Sequence, residues 1–290
     1  MFSNLLLTMM VSLSVAAPPS KADPEILRIG IVASMSEGKS PRLGEIFAPE
    51  LSSIVKEHTG LRSVVLNGLD PFTSARQLEN GKWQLGVFPG VQFAWAQKKY
   101  PHLKPLMVLI NEKTALRAVL VVRQGSSIKS FADLKDKEIA ILEGKLHCRL
   151  FADRGVPDHR HRNTFAKFFQ SANGHDAIED VLTGEVKAAI VDTPSLELYK
   201  DLYPGRFKRL TILAKSPPFP PPVIVYREGA LRPDLLKRFQ AGMLKVNQST
   251  KGRVELETFG ILRFQAVPKD FQKTLAEIAK AYPPPGQPDR

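Results

Sequence analysis

Cysteine is almost absent from this chain of 290 residues, in which Cys148 is the one thiol. A single cysteine excludes an intramolecular disulfide and any metal site built from paired cysteines. Because Cys148 lies far from the amino terminus, we also expect no lipid anchor on a processed N-terminal cysteine. Long hydrophobic runs are scarce as well, and beyond the first twenty residues no segment approaches the roughly 20 apolar residues of a transmembrane helix.

The apolar run from Leu5 to Ala17 has the length and position of a signal-peptide core. Small residues follow it, and Ser20-Lys21-Ala22 offers a cleavage site, so we expect residues 1–22 to be a signal peptide and the mature chain to begin at Asp23. Neither Lys nor Arg precedes the run, which leaves a poorly structured N-terminal tail as the alternative. The sequence therefore predicts export to the periplasm.

Acidic residues are outnumbered, with 29 Asp and Glu against 41 Lys and Arg and a formal net charge of +12. The basic residues are scattered along the chain and no motif that mixes basic and aromatic residues recurs, so we expect no nucleic-acid partner. A basic surface attracts anionic ligands, and a merely solvated basic face is the alternative.

Strand patterns alternate with helical patterns along most of the chain. Leu27–Ala33 predicts a buried strand, and apolar residues at helical spacing from about Pro41 predict the helix after it. Repeated units of this kind favour an α/β fold, in which mostly parallel sheets are flanked by helices and functional groups follow the carboxyl ends of the strands.

The strand and helix units separate into two cores, which predicts two lobes. We expect lobe one to comprise residues 23–120 and 217–290, and lobe two to comprise residues 121–216. The proline-rich segment from Pro217 to Pro222 is interpreted as a stiff hinge where the chain returns to lobe one. A polyproline ligand for a partner domain is the alternative.

Several segments resemble one known family. They are Leu27 to Ser34, Arg117, Val122-Arg123, Ser126 to Lys129, Phe131 to Lys135, Gly174-His175-Asp176, Val186 to Asp192 and Ser216-Pro217-Pro218. Together they resemble the phosphate- and phosphonate-binding proteins of ABC transporters, which have the type II periplasmic solute-binding fold. The resemblance implies a monomer without a cofactor, which binds a small anionic ligand between its lobes and delivers it to an ABC permease in the inner membrane.

In the resembled family a Ser-Thr-Ser segment grips the anion at the start of a helix in lobe two. The corresponding segment here, Glu143 to Arg149, has Lys145, His147 and Arg149 instead of hydroxyls. This exchange favours a carboxylate, a sulfonate or a different phosphate ester over a classical phosphonate. An acidic residue that holds a ligand amino group in the family is also replaced, by Pro221-Pro222.

Other site residues follow from the resemblance or from strand ends. His175 matches a Gly-His-Glu loop of the family, with a helix-capping role as the alternative, and Phe88 matches an aromatic residue that closes over the ligand. Ser34 and Gln92 lie near the carboxyl ends of strands. Asp192 ends a strand, where an N-cap before Pro194 is the alternative. The expected ligand-binding residues are Ser34, Phe88, Gln92, Lys145, His147, Arg149, His175 and Asp192, with the four basic ones converging. An Arg149 that points to solvent and pairs with Asp153 at i, i+4 is the alternative.

Two other functions are compatible with the sequence. One is a sensor module that reports the ligand to a membrane receptor. The other is an enzyme similar to the thiamine-pyrimidine synthases of this fold, which would use Cys148 with a histidine such as His175. Adjacent helical residues point about 100° apart, so His147 is badly placed to activate Cys148. His159 and His161 resemble a metal site only loosely, and we expect neither catalysis nor a bound metal.

Overall fold

The computed structural model describes residues 26–35, 41–112, 114–155 and 167–285. The expected signal peptide, residues 1–22, lies outside this part of the chain, as do His159 and His161. None of the described helices is both long enough and apolar enough to cross a membrane.

Strands and helices alternate through the described residues. The strands are β1 (Leu27–Ile31), β2 (Ser63–Asn67), β3 (Leu85–Phe88), β4 (Leu103–Ile110), β5 (Ala118–Arg123), β6 (Glu138–Leu142), β7 (Lys167–Ser171), β8 (Ala188–Asp192), β9 (Leu210–Lys215), β10 (Val223–Arg227) and β11 (Arg263–Ala266). The α-helices are α1 (Pro41–Thr59), α2 (Pro71–Glu79), α3 (Gly90–Lys99), α4 (Leu146–Gly155), α5 (Gly174–Thr183), α6 (Thr193–Leu202), α7 (Pro204–Phe207), α8 (Pro233–Met243), α9 (Thr250–Thr258) and α10 (Phe271–Ala281).

The first sheet has the strand order β11-β4-β10-β3-β1-β2. Strand β1 pairs in parallel with β2 and β3, whereas β10 is antiparallel to both β3 and β4 and β11 is antiparallel to β4. Strands β1 to β4 therefore run in one direction. The expected alternation of strands and helices is confirmed here, and the antiparallel β10 is the strand on which the chain returns to this lobe.

The second sheet has the strand order β7-β6-β8-β5-β9. Strand β6 pairs in parallel with β7 and β8, while β5 is antiparallel to β8 and β9. With helices flanking both sheets, the two-lobed α/β fold class is confirmed. Strand β5 lies wholly in this second sheet, so the expected lobe boundary at residue 120 falls inside a strand. The described residues 111–112 and 114–117 and residues 216–222 connect the two sheets.

Each lobe has its own core. Leu120, Ile139 and Ile190 are fully buried in the second sheet, and each such side chain stabilises the fold by about 1.5–3 kcal/mol relative to exposure. The first sheet is buried on both faces, by one cluster around Trp83 and Phe88 and by another around Leu27 and Met107. Two clusters on opposite faces of one sheet explain why β1 and β3 have almost uninterrupted apolar sequences.

Glycine is required at position 30 of β1. A Cβ atom added there would lie 2.1 Å from the Trp83 ring, closer than any real contact. Gly30 thus lets the indole pack directly on the strand backbone. A larger residue would push Trp83 out of the cluster that supports the carboxyl end of β1.

Two segments connect the lobes, and they are hydrogen-bonded to each other: the described residues 111–112 and 114–117, and residues 216–222. Phe219 N donates to Leu116 O at 2.8 Å, and Ser216 N donates to Ala118 O at 2.9 Å. The Arg117 guanidinium also donates to Ser216 O at 2.6 Å. The two segments therefore form one paired ribbon. We call the segment before β5 the first crossing and residues 216–222 the second crossing.

Helix α4 of the second lobe also contacts the first lobe. Leu150 is buried in the cluster that contains Phe219 and Tyr282, whose rings stack at a centroid distance of 5.0 Å. The His147 ring lies 5.7 Å from the Phe219 ring. The start of α4 is thereby held against the second crossing, at the bottom of the space between the lobes.

Candidate ligand-binding cleft between the lobes

A cleft of about 750 Å³ separates the carboxyl ends of the strands of the two lobes. Ser34, Pro89 and Asn111, which follow β1, β3 and β4, line it from the first lobe. From the second lobe it is lined by residues that follow β6 and β7 and by Asp192 at the end of β8. Parallel strands place their carboxyl ends at one edge of a sheet, which is the usual position of a ligand site in an α/β fold.

Asp192 is the most deeply buried charged group of the cleft, with 2% of its surface exposed. Its carboxylate accepts a hydrogen bond from Ser195 N at 3.0 Å and so caps α6. Lys145 Nζ lies 3.7 Å and His147 Nε2 lies 3.5 Å from its Oδ2. Burial alone would raise the pKa of Asp192, but His147, Ser195 and Lys145 outweigh it and hold the pKa below its usual value. Asp192 is therefore an anion beside Lys145 and His147, and it neutralises part of the charge of Lys145.

Two buried polar atoms of cleft residues have no hydrogen-bond partner within the described part of the chain. They are His147 Nε2 and Asn111 Oδ1. At 3.5 Å the contact between His147 and Asp192 is electrostatic and too long for a good hydrogen bond. Leaving a buried polar atom without a hydrogen-bond partner costs about 1–3 kcal/mol of stability. A ligand or water that hydrogen-bonds to either atom removes this cost.

The first turn of α4 opens into the cleft. Cys148 N and Arg149 N donate to Lys145 O, but among the described residues no side chain accepts from the amides of Leu146 and His147. Gly144, with a φ of 65°, makes the sharp turn that precedes the helix. A helix start with unpaired amides and no acidic residue in its first turn attracts anions.

The first turns of α5 and α6 are already capped. Asn173 Oδ1 accepts from Asp176 N at 2.9 Å, and Asp192 caps α6 in the same way. All three helices follow parallel strands at the same edge of the second sheet. Only α4 among them leaves the amides of its first turn to an external partner, within the described residues.

Four of the eight expected ligand-binding residues line the cleft: Ser34, Lys145, His147 and Asp192. Gln92, a fifth, lies directly behind Ser34 and is buried, with 6% of its surface exposed. The Ser34 hydroxyl donates to Gln92 Oε1 at 2.6 Å. Gln92 therefore orients the Ser34 oxygen in this structure instead of bordering the cleft itself.

Phe88, Arg149 and His175 do not line the cleft, and the expected convergence of four basic residues is not formed. Phe88 is fully buried and packs edge-on against Phe93. Arg149 follows His147 by two helical positions, about 200° around the axis, so it points away from the cleft. It pairs there with Asp153, with Nε 3.0 Å from Oδ1, and covers the Phe168 ring.

The His175 side chain faces a separate groove between α5 and α6. Its Nδ1 lies 3.2 Å from Asp176 Oδ1, and its ring lies 5.2 Å from that of Tyr203. The capping role that the sequence left open for this region is fulfilled by Asn173. His175 instead forms part of an aromatic cluster with Tyr203.

Acidic residues of the cleft were missed by the sequence reasoning. Glu112, Glu143 and Asp270 line it in addition to Asp192. Burial raises the pKa of the half-buried Glu112, Asp192 and Glu197 raise it further, and Lys145 opposes them. Asn111 and Glu112 directly follow β4, so the rule that selected Ser34, a polar residue after a buried strand, would have found them.

Cys148 is fully buried in the core of the second lobe. Burial, reinforced by the charge of Asp192, raises the pKa of its thiol well above the usual value. A nucleophile has to be a thiolate, so this cysteine is a core residue, and the pairing with His175 that the enzyme alternative requires is not formed. The geometry gives no support to the enzyme alternative.

Several solved structures are similar in fold. PhnD1 from Prochlorococcus marinus in complex with methylphosphonate is 16% identical, with 89% of this chain and 98% of that chain covered and a TM-score of 0.61. A Xanthomonas citri protein bound to ATP is also 16% identical, with coverage of 88% and 96% and a TM-score of 0.61. A binding protein component of an ABC phosphonate transporter from Pseudomonas aeruginosa is 16% identical, with coverage of 88% and 86% and a TM-score of 0.57.

At this level of identity the solved structures establish the fold alone, and no curated protein matches the chain. A family description is more informative, because it matches a long continuous part of the sequence. Residues 46–270 match the family described as "ABC transporter, phosphonate, periplasmic substrate-binding protein". The protein belongs to this family of periplasmic substrate-binding components of ABC transporters.

Proposed function

We propose that this protein binds a small oxyanion in the cleft and delivers it to an ABC permease in the inner membrane. The residues of the segment from Glu143 to Arg149 favour a phosphate ester or another oxyanion, and the family match keeps phosphonates within the proposed class. The solute-binding role and the transporter partner follow from the family. The class of ligand and the exported, monomeric form without a lipid anchor are our proposal. It is supported by the arrangement of charge and hydrogen-bonding groups at the start of α4.

The observation that carries the proposal is the uncapped first turn of α4. An oxyanion there would accept hydrogen bonds from the amides of Leu146 and His147 and take the place of a side-chain cap. Lys145 Nζ lies beside this turn, and its side chain is 51% exposed, so it can reach a bound ligand while it stays near Asp192. A neutral ligand would give the amides of α4 no charged acceptor and would give Lys145 no anionic partner.

The fold neighbours are consistent with a phosphorus oxyanion. PhnD1 is in complex with methylphosphonate and the Xanthomonas citri protein is bound to ATP. Both ligands present tetrahedral phosphorus with charged oxygens, a geometry that backbone amides at a helix start accommodate without a full countercharge.

The ligand we propose also has a hydrogen-bond donor near its anionic group. Asn111 Oδ1 is a buried acceptor without a partner among the described residues. A fully deprotonated anion would offer it no proton. A singly protonated phosphonate, a singly protonated phosphate monoester or an anion with a neighbouring hydroxyl satisfies both the amides of α4 and this acceptor.

Calorimetric titration tests the proposal. Protein purified under denaturing conditions and refolded, to remove any ligand carried from the cell, should bind methylphosphonate or a simple phosphate monoester and should not bind a neutral sugar. The variant Lys145→Met should weaken binding about tenfold or more, the effect of a lost hydrogen bond to a charged group. If every anion fails to bind at millimolar concentration, or if a neutral sugar binds more tightly, the proposed ligand class is wrong.

Localisation is tested separately. Expressed in a Gram-negative host, the chain should be recovered in the periplasmic fraction with Asp23 at or near its amino terminus, as the apolar run and Ser20-Lys21-Ala22 predict. Recovery of only the intact chain from the cytosol would contradict export without affecting the ligand proposal.

A further inference from the structure

A second concave surface, which we call the α5–α6 groove, lies beside the cleft in the second lobe. It has a volume of about 540 Å³. Its walls are formed by residues of the two helices and of the loops before α4 and α5. The anion site proposed at α4 does not by itself assign a function to this groove.

Three aromatic rings form one side of the groove. The centroid of the Tyr203 ring lies 5.2 Å from those of His175 and Tyr199, and the His175 and Tyr199 rings are 5.8 Å apart. The rings are tilted by 41° to 59° relative to one another, so they present edges and partial faces instead of one stacked column. The Tyr199 hydroxyl donates to Glu179 at 2.5 Å, which fixes the ring beneath the other two.

Two leucines on the same face of α6 are unusually exposed. Leu198 and Leu202 lie one helical turn apart, line the groove, and have 60% and 61% of their surfaces exposed. They are among the most exposed large apolar residues of the described chain, together with Val254 on α9 of the other lobe. An exposed apolar patch bordered by polar groups is typical of a surface that binds something apolar.

The groove is continuous with the anion site. Glu143, Lys145 and Ala172 line both the groove and the cleft. Lys145 is the residue that precedes the uncapped amides of α4, so a ligand whose anionic group is bound at those amides lies at the opening of the groove. The rest of such a ligand can extend from there towards the rings and leucines without leaving the protein surface.

We propose that the α5–α6 groove binds an apolar or aromatic substituent of the transported ligand, whose oxyanion is bound at α4. This inference rests on the proposed function and narrows it, because it assigns the ligand an organic tail larger than a methyl group. Aromatic rings and leucine side chains recognise such a tail through buried apolar area and ring contacts.

Two probes with the same headgroup test the inference. Calorimetric titration of the full-length protein should show phenylphosphonate binding about tenfold more tightly than methylphosphonate, as expected for partial burial of one ring in an open groove. In the double variant Leu198→Ser/Leu202→Ser this ratio should fall to about two. Competition between the two probes should show that they share the anion site.

The variant Val254→Ser is the matched control. Val254 is 60% exposed on α9, in the other lobe, and lines neither the groove nor the cleft. It should keep the tenfold preference, and both variants should remain folded because the exchanged side chains are exposed. Equal affinities for the two probes in the unmodified protein, or a preference that survives the double variant, would overturn the inference and leave the proposed function intact. Failure of both probes to bind would overturn the proposed function and this inference with it.

Discussion

Helices α4 and α5 have equivalent positions in the second lobe, but the amides of their first turns are satisfied differently. Each helix has ten residues and follows one strand of the parallel pair β6 and β7. The first turn of α5 is closed by Asn173 and contains the acidic Asp176. The first turn of α4 contains no acidic residue, and the residues beside it are Lys145 and His147.

This difference shows which helix start is available to a ligand. At α5 the protein has already supplied the negative charge and the acceptor that a helix start favours, so an external anion would gain little. At α4 those contributions are absent, and the same backbone geometry becomes a binding site. The histidine beside each helix start differs in the same way. His175 pairs with Asp176, whereas His147 Nε2 has no hydrogen-bond partner within the described residues.

The largest effect is expected when α4 is made to resemble α5. Lys145→Asn removes the cation and places an amide oxygen before the helix, where it can accept from the free amides as Asn173 does in α5. We expect methylphosphonate affinity to fall by about 2–3 kcal/mol, measured by calorimetry. Arg149→Met is the control; it should change affinity by only a few tenths of a kcal/mol, because Arg149 is paired with Asp153 on the far side of the helix. If Lys145→Asn binds methylphosphonate as tightly as the unmodified protein, the anion is not bound at the start of α4, and α4 and α5 do not differ in the way described.

The next effect concerns the anion that holds Lys145 and His147 in place. Asp192→Asn should destabilise the protein by about 2 kcal/mol in urea unfolding, since a buried charged partner and hydrogen-bond acceptor is lost. The folded-state pKa of Asp192 is lowered, so its contribution is present above the unfolded pKa of about 4 and is lost as the pH falls below that value. The variant should therefore lose less stability than the unmodified protein between about pH 4 and pH 2. A parallel decline of both proteins would contradict the assigned charge.

A smaller effect is expected from removing the cap of α5. Asn173→Ala should lower the free energy of unfolding by about 1 kcal/mol, because the amide of Asp176 loses its acceptor. Affinity for methylphosphonate should stay the same, since the anion is bound at α4. If calorimetry shows weaker binding by this variant while the protein remains folded, then the α5 start contributes to the site and the distinction between the helices fails.

The smallest effect is expected at Glu112, across the cleft from α4. Its pKa is raised, so in the unmodified protein anion affinity should increase as the pH falls through that pKa and the carboxyl loses its charge. Glu112→Gln should bind methylphosphonate about two- to fivefold more tightly at pH 8, equivalent to about 0.5–1 kcal/mol for a partly exposed charge. It should also flatten the pH profile of binding. Weaker binding at every pH would instead identify Glu112 as an acceptor that the ligand requires.

The fold was largely predictable because its signal is the alternation of apolar strands and helices. The strands that the sequence pattern marks least are β9 and β11, which lie at the edges of the two sheets. In β9 no residue is fully buried, and in β11 only Phe264 is buried. Half-covered edge strands lack the continuous apolar runs of central ones, so sequence patterns mark them weakly.

The site was predictable as a location and less so in its details. Ser34 was identified as a polar residue near a strand end, because parallel strands end at one edge of a sheet. Lys145 and His147 were identified by the resemblance to the family, and Asp192 by its position at the end of a strand. For Arg149 the structure has the alternative position, paired with Asp153 outside the cleft, and two helical positions between His147 and Arg149 already imply opposite faces.

The remaining differences have two physical causes. Asn111 and Glu112 begin a connection between the lobes, and only their position directly after β4 marks them in the sequence. Phe88 was expected to close over the ligand, but the packing that buries it depends on residues distant in sequence, such as Phe219 and Leu275. Contacts of this kind leave no local signal in the sequence around a strand.

The paired crossings determine how the lobes can move relative to each other. Two strands joined by hydrogen bonds bend together across their plane but resist sliding along each other, and the five prolines between Pro217 and Pro222 restrict backbone rotation further. Any relative motion of the lobes is therefore expected to bend both crossings together. Such a motion keeps Ser34 and Asn111 facing the start of α4 across the cleft that they line.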